Sequence, residues 1–211
     1  PAPGERRTRR NMFATDDTIV AIATPHGRGA LGVVRLSGPR ALALAAEFLD
    51  RGSFLQPRHA TFTRVRAHCN SESAVSNAPI DAVVATYFPA PHSYTGEHVV
   101  EIAGHGSPVL LQAILKRAIT AGARLAEPGE FTLRAFLNGK RDLIQSEAVA
   151  DLIEAATPLQ ARIAFDQLEG TLTERIAALD ARLFDLIARL EASLDFPDEG
   201  YHFVEPAEAA T

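Results

Sequence analysis

PGEFTLRAFLNGKRDLIQSEAVADLI, from Pro128 to Ile153, decides how this chain is organised. Pro128-Gly129 breaks the chain. Phe131, Leu133, Ala135, Phe136 and Leu137 then have the crowded apolar spacing of a short buried helix, predicted to stop at Asn138-Gly139. Lys140 and Arg141 follow, and Ser146 and Glu147 sit inside a second apolar-periodic segment. A loop carrying Lys140 is thus fixed by a helix on either side in sequence, where a cation can be aimed at a ligand. Composition also changes here, from strand-rich before Phe131 to almost wholly helical up to Leu194.

Upstream, Thr18 to Thr24 reads as a strand, followed by a glycine-rich turn and a second strand, Leu31 to Leu36. In that strand Val34 and Leu36 face one way, Val33 and Arg35 the other. Gly38-Pro39 opens a helix over Arg40 to Leu49, with Leu42, Ala45, Ala46 and Leu49 as its apolar face. Thr61 to Ala67 and Ile80 to Phe88 are predicted strands joined by a Ser/Asn-rich loop from Cys69 to Pro79. Pro89 to Gly96 is a loop and His98 to Ala103 a strand. Pro108 to Ala121 is an amphipathic helix with Leu111, Ile114, Leu115 and Ala118 inward, and Arg124 to Ala126 an edge strand. Downstream of Pro158 a leucine-rich stripe runs from Phe165 through Leu179 and Leu183 to Leu194, interrupted at Gly170 and requiring a partner helix. Phe196-Pro197-Asp198-Glu199 ends it. The expectation is an α+β chain: a leader over 1–15, an α/β domain over 16–130, and the first part of an α-helical bundle over 131–211, the whole a fragment of something longer.

A 211-residue chain with 46% hydrophobic and 22% charged residues is able to bury a core. Its net charge of -5 argues against gripping phosphate backbones by bulk charge. One cysteine, Cys69, excludes an internal disulfide framework and fits a reducing, cytoplasmic setting. No apolar run is long enough to span a bilayer, so no membrane is expected. The first residues lack the apolar stretch of a secretory signal and read as a disordered leader.

Gly27, Gly29 and Gly32 spell a dinucleotide fingerprint, but that motif needs a helix after its last glycine. The β-branched, alternating Val33-Val34-Arg35-Leu36 denies it one. No phosphate-binding G-x-x-x-x-G-K-[ST] occurs in the sequence. The histidines show no metal-ligand spacing, and no metal site is expected in this chain. His105, between Gly104 and Gly106, reads as a turn histidine satisfying local backbone rather than a general base, since spacing fixes no carboxylate partner for it. Tyr94, in the loop Pro91 to Gly96, is either a stacking residue or an ordinary exposed turn tyrosine. Glu101 stands in an otherwise apolar strand and needs a partner. Either it accepts from a pair of N–H groups on a heterocycle, as a pterin edge offers, or it faces solvent or pairs with Arg35.

Four colinear blocks carry a resemblance: ATPHGRGALGVVRLSGP (Ala23 to Pro39), FPAPHSYTGEHVVEIAGHGSP (Phe88 to Pro108), the Pro128 to Ile153 run, and FPDE (Phe196 to Glu199). Together they resemble the MnmE (TrmE) family of tRNA-modification GTPases. The resemblance implies an N-terminal mixed-sheet domain like the tetrahydrofolate-binding domain of aminomethyltransferases. It also implies cofactor-binding positions at Arg35, Glu101 and Lys140, with no catalytic residue in this fragment. The implied ligand is 5-formyltetrahydrofolate or 5,10-methylenetetrahydrofolate, donor of the one-carbon unit for a carboxymethylaminomethyl group on wobble uridine. It implies homodimerisation through the N-terminal domain, the flavin-dependent partner MnmG and tRNA as substrate. It further implies GTP, Mg2+ and K+ bound by a G domain inserted in the helical domain. The Walker-less sequence lacks that G domain and the return helices, so this chain is expected to bind folate without hydrolysing GTP. Two other readings remain open: a stand-alone folate-dependent aminomethyltransferase-like enzyme, and a dimerisation scaffold with a vestigial pocket.

Overall fold

The computed structural model describes residues 16–50, 55–67 and 79–195. The expected leader, the loop holding Cys69 and the Phe196–Glu199 stop lie outside the described residues. Compactness divides the chain into two units that meet in sequence at Arg141/Asp142.

The first unit is a six-stranded mixed sheet of order β3-β4-β5-β2-β1-β6. Its strands are β1 (Ile19–Ile22), β2 (Leu31–Ser37), β3 (Thr61–Arg66), β4 (Pro79–Phe88), β5 (Val99–His105) and β6 (Arg124–Leu125). All neighbours run antiparallel except β1 and β6, which are parallel. Helices α1 (Ala41–Phe48) and α2 (Pro108–Thr120) cover one face. Between them and the sheet lies the core, where Val34, Leu36, Val100 and Ile102 meet Leu44, Phe48 and Ile114, all fully buried. In α2 the four expected residues, Leu111, Ile114, Leu115 and Ala118, are the buried ones. In α1 two of the four expected residues, Ala45 and Leu49, are buried, but the stripe is turned: Ala41, Leu44 and Phe48 are buried with them, while Leu42 and Ala46 are only partly covered. The run ALALAAEF admits either stripe, and the larger Phe48 ring gains more by burial.

Alternation gives the sheet a second face without α1 or α2. Register places Leu31, Val33 and Arg35 of β2 opposite His105, Ala103 and Glu101 of β5. Val84 of β4 and Phe62 of β3 continue the row. Leu31, Phe62 and Val84 are exposed there. The strand β5 runs through His105, further than expected, because Asp81 on β4 engages it there.

Helix α3 (Glu130–Leu137) forms where the spacing predicts and ends before Gly139, whose φ is 65°. It belongs to the first unit, whereas the sequence reading opens the helical part at residue 131. Its interior also differs from expectation. Glu130, Arg134 and Ala135 are buried, while Phe136 and Leu137 are exposed.

The second unit holds α4 (Leu143–Glu154), α5 (Pro158–Leu168) and α6 (Thr171–Asp195). Asp142 and Thr157 each close a capping box, the first with Gln145 and the second with Gln160. Gly170, with φ 92°, divides the leucine stripe into α5 and α6. No residue of α6 is buried.

Candidate functional site

Arg35 and Glu101 are direct cross-strand neighbours on the open face. Arg35 Nε and Nη2 both donate to Glu101 Oε1, at 2.8 and 2.7 Å. Of the alternatives for Glu101, its partner within the chain is therefore Arg35. Both bonds fall on one oxygen, and Oε2 has no protein partner among the described residues. The two side chains are 24% and 31% exposed, so a ligand can reach them.

The loop before β5 and the end of α3 wall this pair. Arg35 Cζ lies 5.1 Å from the Tyr94 ring centroid and 5.7 Å from that of Phe131 on α3. Tyr94 Oη and Thr132 Oγ1 are 3.0 Å apart, which joins the loop to α3. Tyr94 is thus neither a free stacking surface nor a plain turn residue; its ring already carries guanidinium groups. Gly96 has φ 81°, and a Cβ there would meet Lys140 Cγ at 3.1 Å and Asn138 Cβ at 3.0 Å. Only glycine lets the loop pass this close under the Lys140 stem. Asn138 Nδ2 donates to the Thr95 carbonyl at 2.7 Å, fixing the turn from which Lys140 leaves. Arg35 and Glu101 therefore touch each other, and Lys140 joins them through the shared 94–96 segment rather than by a bond to either.

Sequence reasoning missed the support beneath this loop. Arg134, 1% exposed, donates to Asp17 Oδ1 at 2.5 Å, Glu130 Oε1 at 3.0 Å and Glu97 Oε1 at 3.1 Å. Arg124 bonds the same Glu130 and Asp17, each at 2.5 Å. Ser37 Oγ donates to Glu97 at 2.6 Å and lies 2.7 Å from Thr95 Oγ1, which ties the cluster to β2. Burial pushes the Asp17 and Glu130 carboxyls up, yet the hydrogen bonds from Arg124 and Arg134 outweigh it and hold both below the usual carboxylate range. Burial works against charge on Arg134 too, and its bond to Asp17 and the field of Glu97 more than offset this. An arginine four residues after a glutamate in a short helix was the available signal; the other partners are far off in sequence.

His105 is a correction. Its ring does not satisfy local backbone: Nδ1 lies 2.7 Å from Asp81 Oδ1, and its backbone N–H donates to Asp81 Oδ2 at 2.9 Å. Asp81 is nearly buried while the His105 ring is exposed. A Cβ on Gly104 would sit 2.6 Å from Asp81 Oδ2, so glycine is needed beside this pair. The arrangement holds an exposed imidazole against a nearly buried carboxylate, four positions along β5 from Glu101. The fingerprint glycines run into β2 and not into a helix, as their sequence context predicts. Among the described residues no group of three or more His, Cys, Asp or Glu could hold a metal ion, and no helix is long and apolar enough to cross a membrane.

Comparison with known proteins identifies the family. Residues 18–140 match the family model described as GTP-binding protein TrmE N-terminus, and residues 143–211 match the MnmE helical domain. A tRNA modification GTPase MnmE from Thiobacillus denitrificans is 52% identical over 193 residues, covering 92% of this chain and 41% of the relative. The protein of the same name from Aromatoleum aromaticum is 53% identical over 193 residues, with the same coverage. That from Burkholderia mallei is 52% identical over 206 residues, 94% of this chain and 43% of its own. The chain spans about two fifths of the length of the curated relatives it matches. On these matches, which agree with the α+β sheet unit and the helices after it, the chain belongs to the MnmE (TrmE) family of tRNA modification GTPases, whose N-terminal and helical domains it carries.

Proposed function

We propose that this chain is the folate-binding and leading helical part of a GTPase that modifies the wobble uridine of tRNA. Its first unit holds a reduced folate, 5-formyltetrahydrofolate or 5,10-methylenetetrahydrofolate, through Glu101, Arg35 and Lys140. The observation that carries this reading is the half-satisfied Glu101 carboxylate on the open face, with Oε1 engaged by Arg35 and Oε2 without a protein partner among the described residues. A carboxylate so placed is ready to accept from a ring N–H, and the neighbouring cations suit the formyl, carbonyl or carboxylate oxygens of such a ligand. In the family setting this unit also pairs with a second copy of itself. GTP, Mg2+ and K+ belong to a G domain beyond the residues here, hydrolysis depends on that domain, and the flavin-dependent MnmG acts with it in the cytoplasm.

Calorimetric titration of the chain with 5-formyltetrahydrofolate tests the reading. Binding heat is expected from the native chain, with affinity falling at least about tenfold, ~1.4 kcal/mol, in Glu101→Gln and in Lys140→Ala. Absence of heat from the native chain would leave only the scaffold reading, and equal affinity in Glu101→Gln would remove the carboxylate from the site.

A further inference from the structure

Arg141 Nη1 is buried and has no hydrogen-bond partner, the one side-chain atom in that state among the described residues. Buried guanidinium nitrogens normally find an acceptor, so an orphaned one marks a place where something else accepts. Its surroundings are specific. Arg141 Cζ lies 4.9 Å from the Tyr94 ring centroid and Arg35 Cζ lies 5.1 Å from the same centroid, so two like-charged groups share one aromatic ring. Lys140, the preceding residue, packs its stem along Gly96, two residues from that ring. Against these three cations stands Glu101, already bonded to Arg35. The nearby Glu97 is turned to Arg134 and Ser37. Three cations less one carboxylate leave an excess of two positive charges around Tyr94. An aromatic face eases a cation but does not neutralise it.

We propose that Arg141, together with Lys140, holds the carboxylates of the glutamyl tail of the reduced folate, so that the tail as well as the pterin determines which ligand this site accepts. The inference rests on the folate reading above and deepens it. A single glutamyl tail carries two carboxylates, which match the charge excess. The planar guanidinium fork suits a carboxylate, while Lys140 acts as a movable point charge.

The test titrates the 211-residue chain with 5-formyltetrahydrofolate and with 5-formyltetrahydropteroate, which lacks the glutamate, and repeats both with Arg141→Gln and Arg141→Lys. The native chain is expected to prefer the glutamyl ligand by about tenfold or more, a preference that shrinks to roughly threefold or less in Arg141→Gln and is partly kept in Arg141→Lys. Unchanged pteroate binding in Arg141→Gln serves as the check on folding. Equal affinity of the native chain for both ligands overturns the tail assignment while leaving the folate reading standing. Loss of both ligands to the same degree in both variants overturns it as well, since Arg141 would then support the site rather than read the tail. Failure of the native chain to bind either ligand removes both readings. Should Arg141→Gln instead weaken binding of an anticodon stem-loop RNA with folate affinities unchanged, the cation serves phosphate and the proposal fails.

Discussion

Arg134 in the sheet unit is 1% exposed, while Leu183 in α6 of the helical unit is 55% exposed, the reverse of where charge and hydrocarbon ordinarily lie. Each inversion has its own physical cause. Arg134 is tolerated inside because Asp17, Glu97 and Glu130 surround it and Arg124 shares their charge. That cluster holds the 94–97 loop, α3 and the β1 approach in one arrangement, from which the Arg35, Glu101 and Lys140 geometry follows. In α6 the leucines repeat at helical spacing yet none is buried, so the stripe is patterned for a partner that the described residues do not provide. The sheet unit thus completes itself with polar bonds, and the helical unit leaves its apolar stripe uncovered by the described residues.

The largest expected effect breaks the first side of this contrast. Replacing Arg134 by Leu leaves three carboxylates without their central cation and should cost the sheet unit about 3–5 kcal/mol, read by denaturant unfolding. A loss below about 1 kcal/mol would mean the cluster is not what holds the loop.

Acid sharpens the contrast next. Asp17 and Glu130 have folded-state pKa values below their unfolded ones, so their stabilisation is fully present above the unfolded values. It is lost as pH falls through the depressed folded values. Thermal unfolding followed from neutral pH to below about pH 4 should therefore show a steep decline. Glu130→Gln should be less stable at neutral pH and show a shallower decline. An acid response identical to that of the native chain would remove Glu130 from the linkage.

Two smaller effects concern the helical unit. Asp142 accepts from the Gln145 backbone at 2.8 Å and from Thr173 Oγ1 at 2.7 Å, and these bonds hold its carboxyl below the ordinary range. Asp142→Ala should cost ~1 kcal/mol by circular dichroism, with no change if the cap is redundant. Leu183→Glu should change stability by no more than about 0.5 kcal/mol, because the side chain is exposed, yet reduce self-association in light scattering. A large loss of stability, or scattering identical to the native chain, would show that the stripe is not an assembly surface.

Much of the fold was legible in the residues. Period-two alternation in β2 separated Val34 and Leu36 from Val33 and Arg35, and helical spacing in α2 picked its four buried residues. The face of α1 was legible only in Ala45 and Leu49, because alanines fit either of two stripes and only packing against the sheet chooses. Less legible still was α3, whose apolar residues suggested a greasy helix while, beside Ala135, its buried side chains are the ionic Glu130 and Arg134. Within the candidate site, Arg35, Glu101 and Lys140 were picked out through family resemblance, with chemistry alone leaving Glu101 undecided. Arg134 and the His105–Asp81 pair escaped notice because their partners lie 117, 37 and 24 residues away.

By itself, the sequence determined the elements, their order, the change from sheet to helix around α3 and the family, since these follow from local periodicity, turn chemistry and colinear blocks. Only the tertiary structure decided which charges are buried, which oxygen of Glu101 is spoken for and which guanidinium nitrogen lacks an acceptor. Those outcomes depend on Coulomb and hydrogen-bond contacts a few ångströms long between residues far apart in the chain, and no local pattern records such contacts.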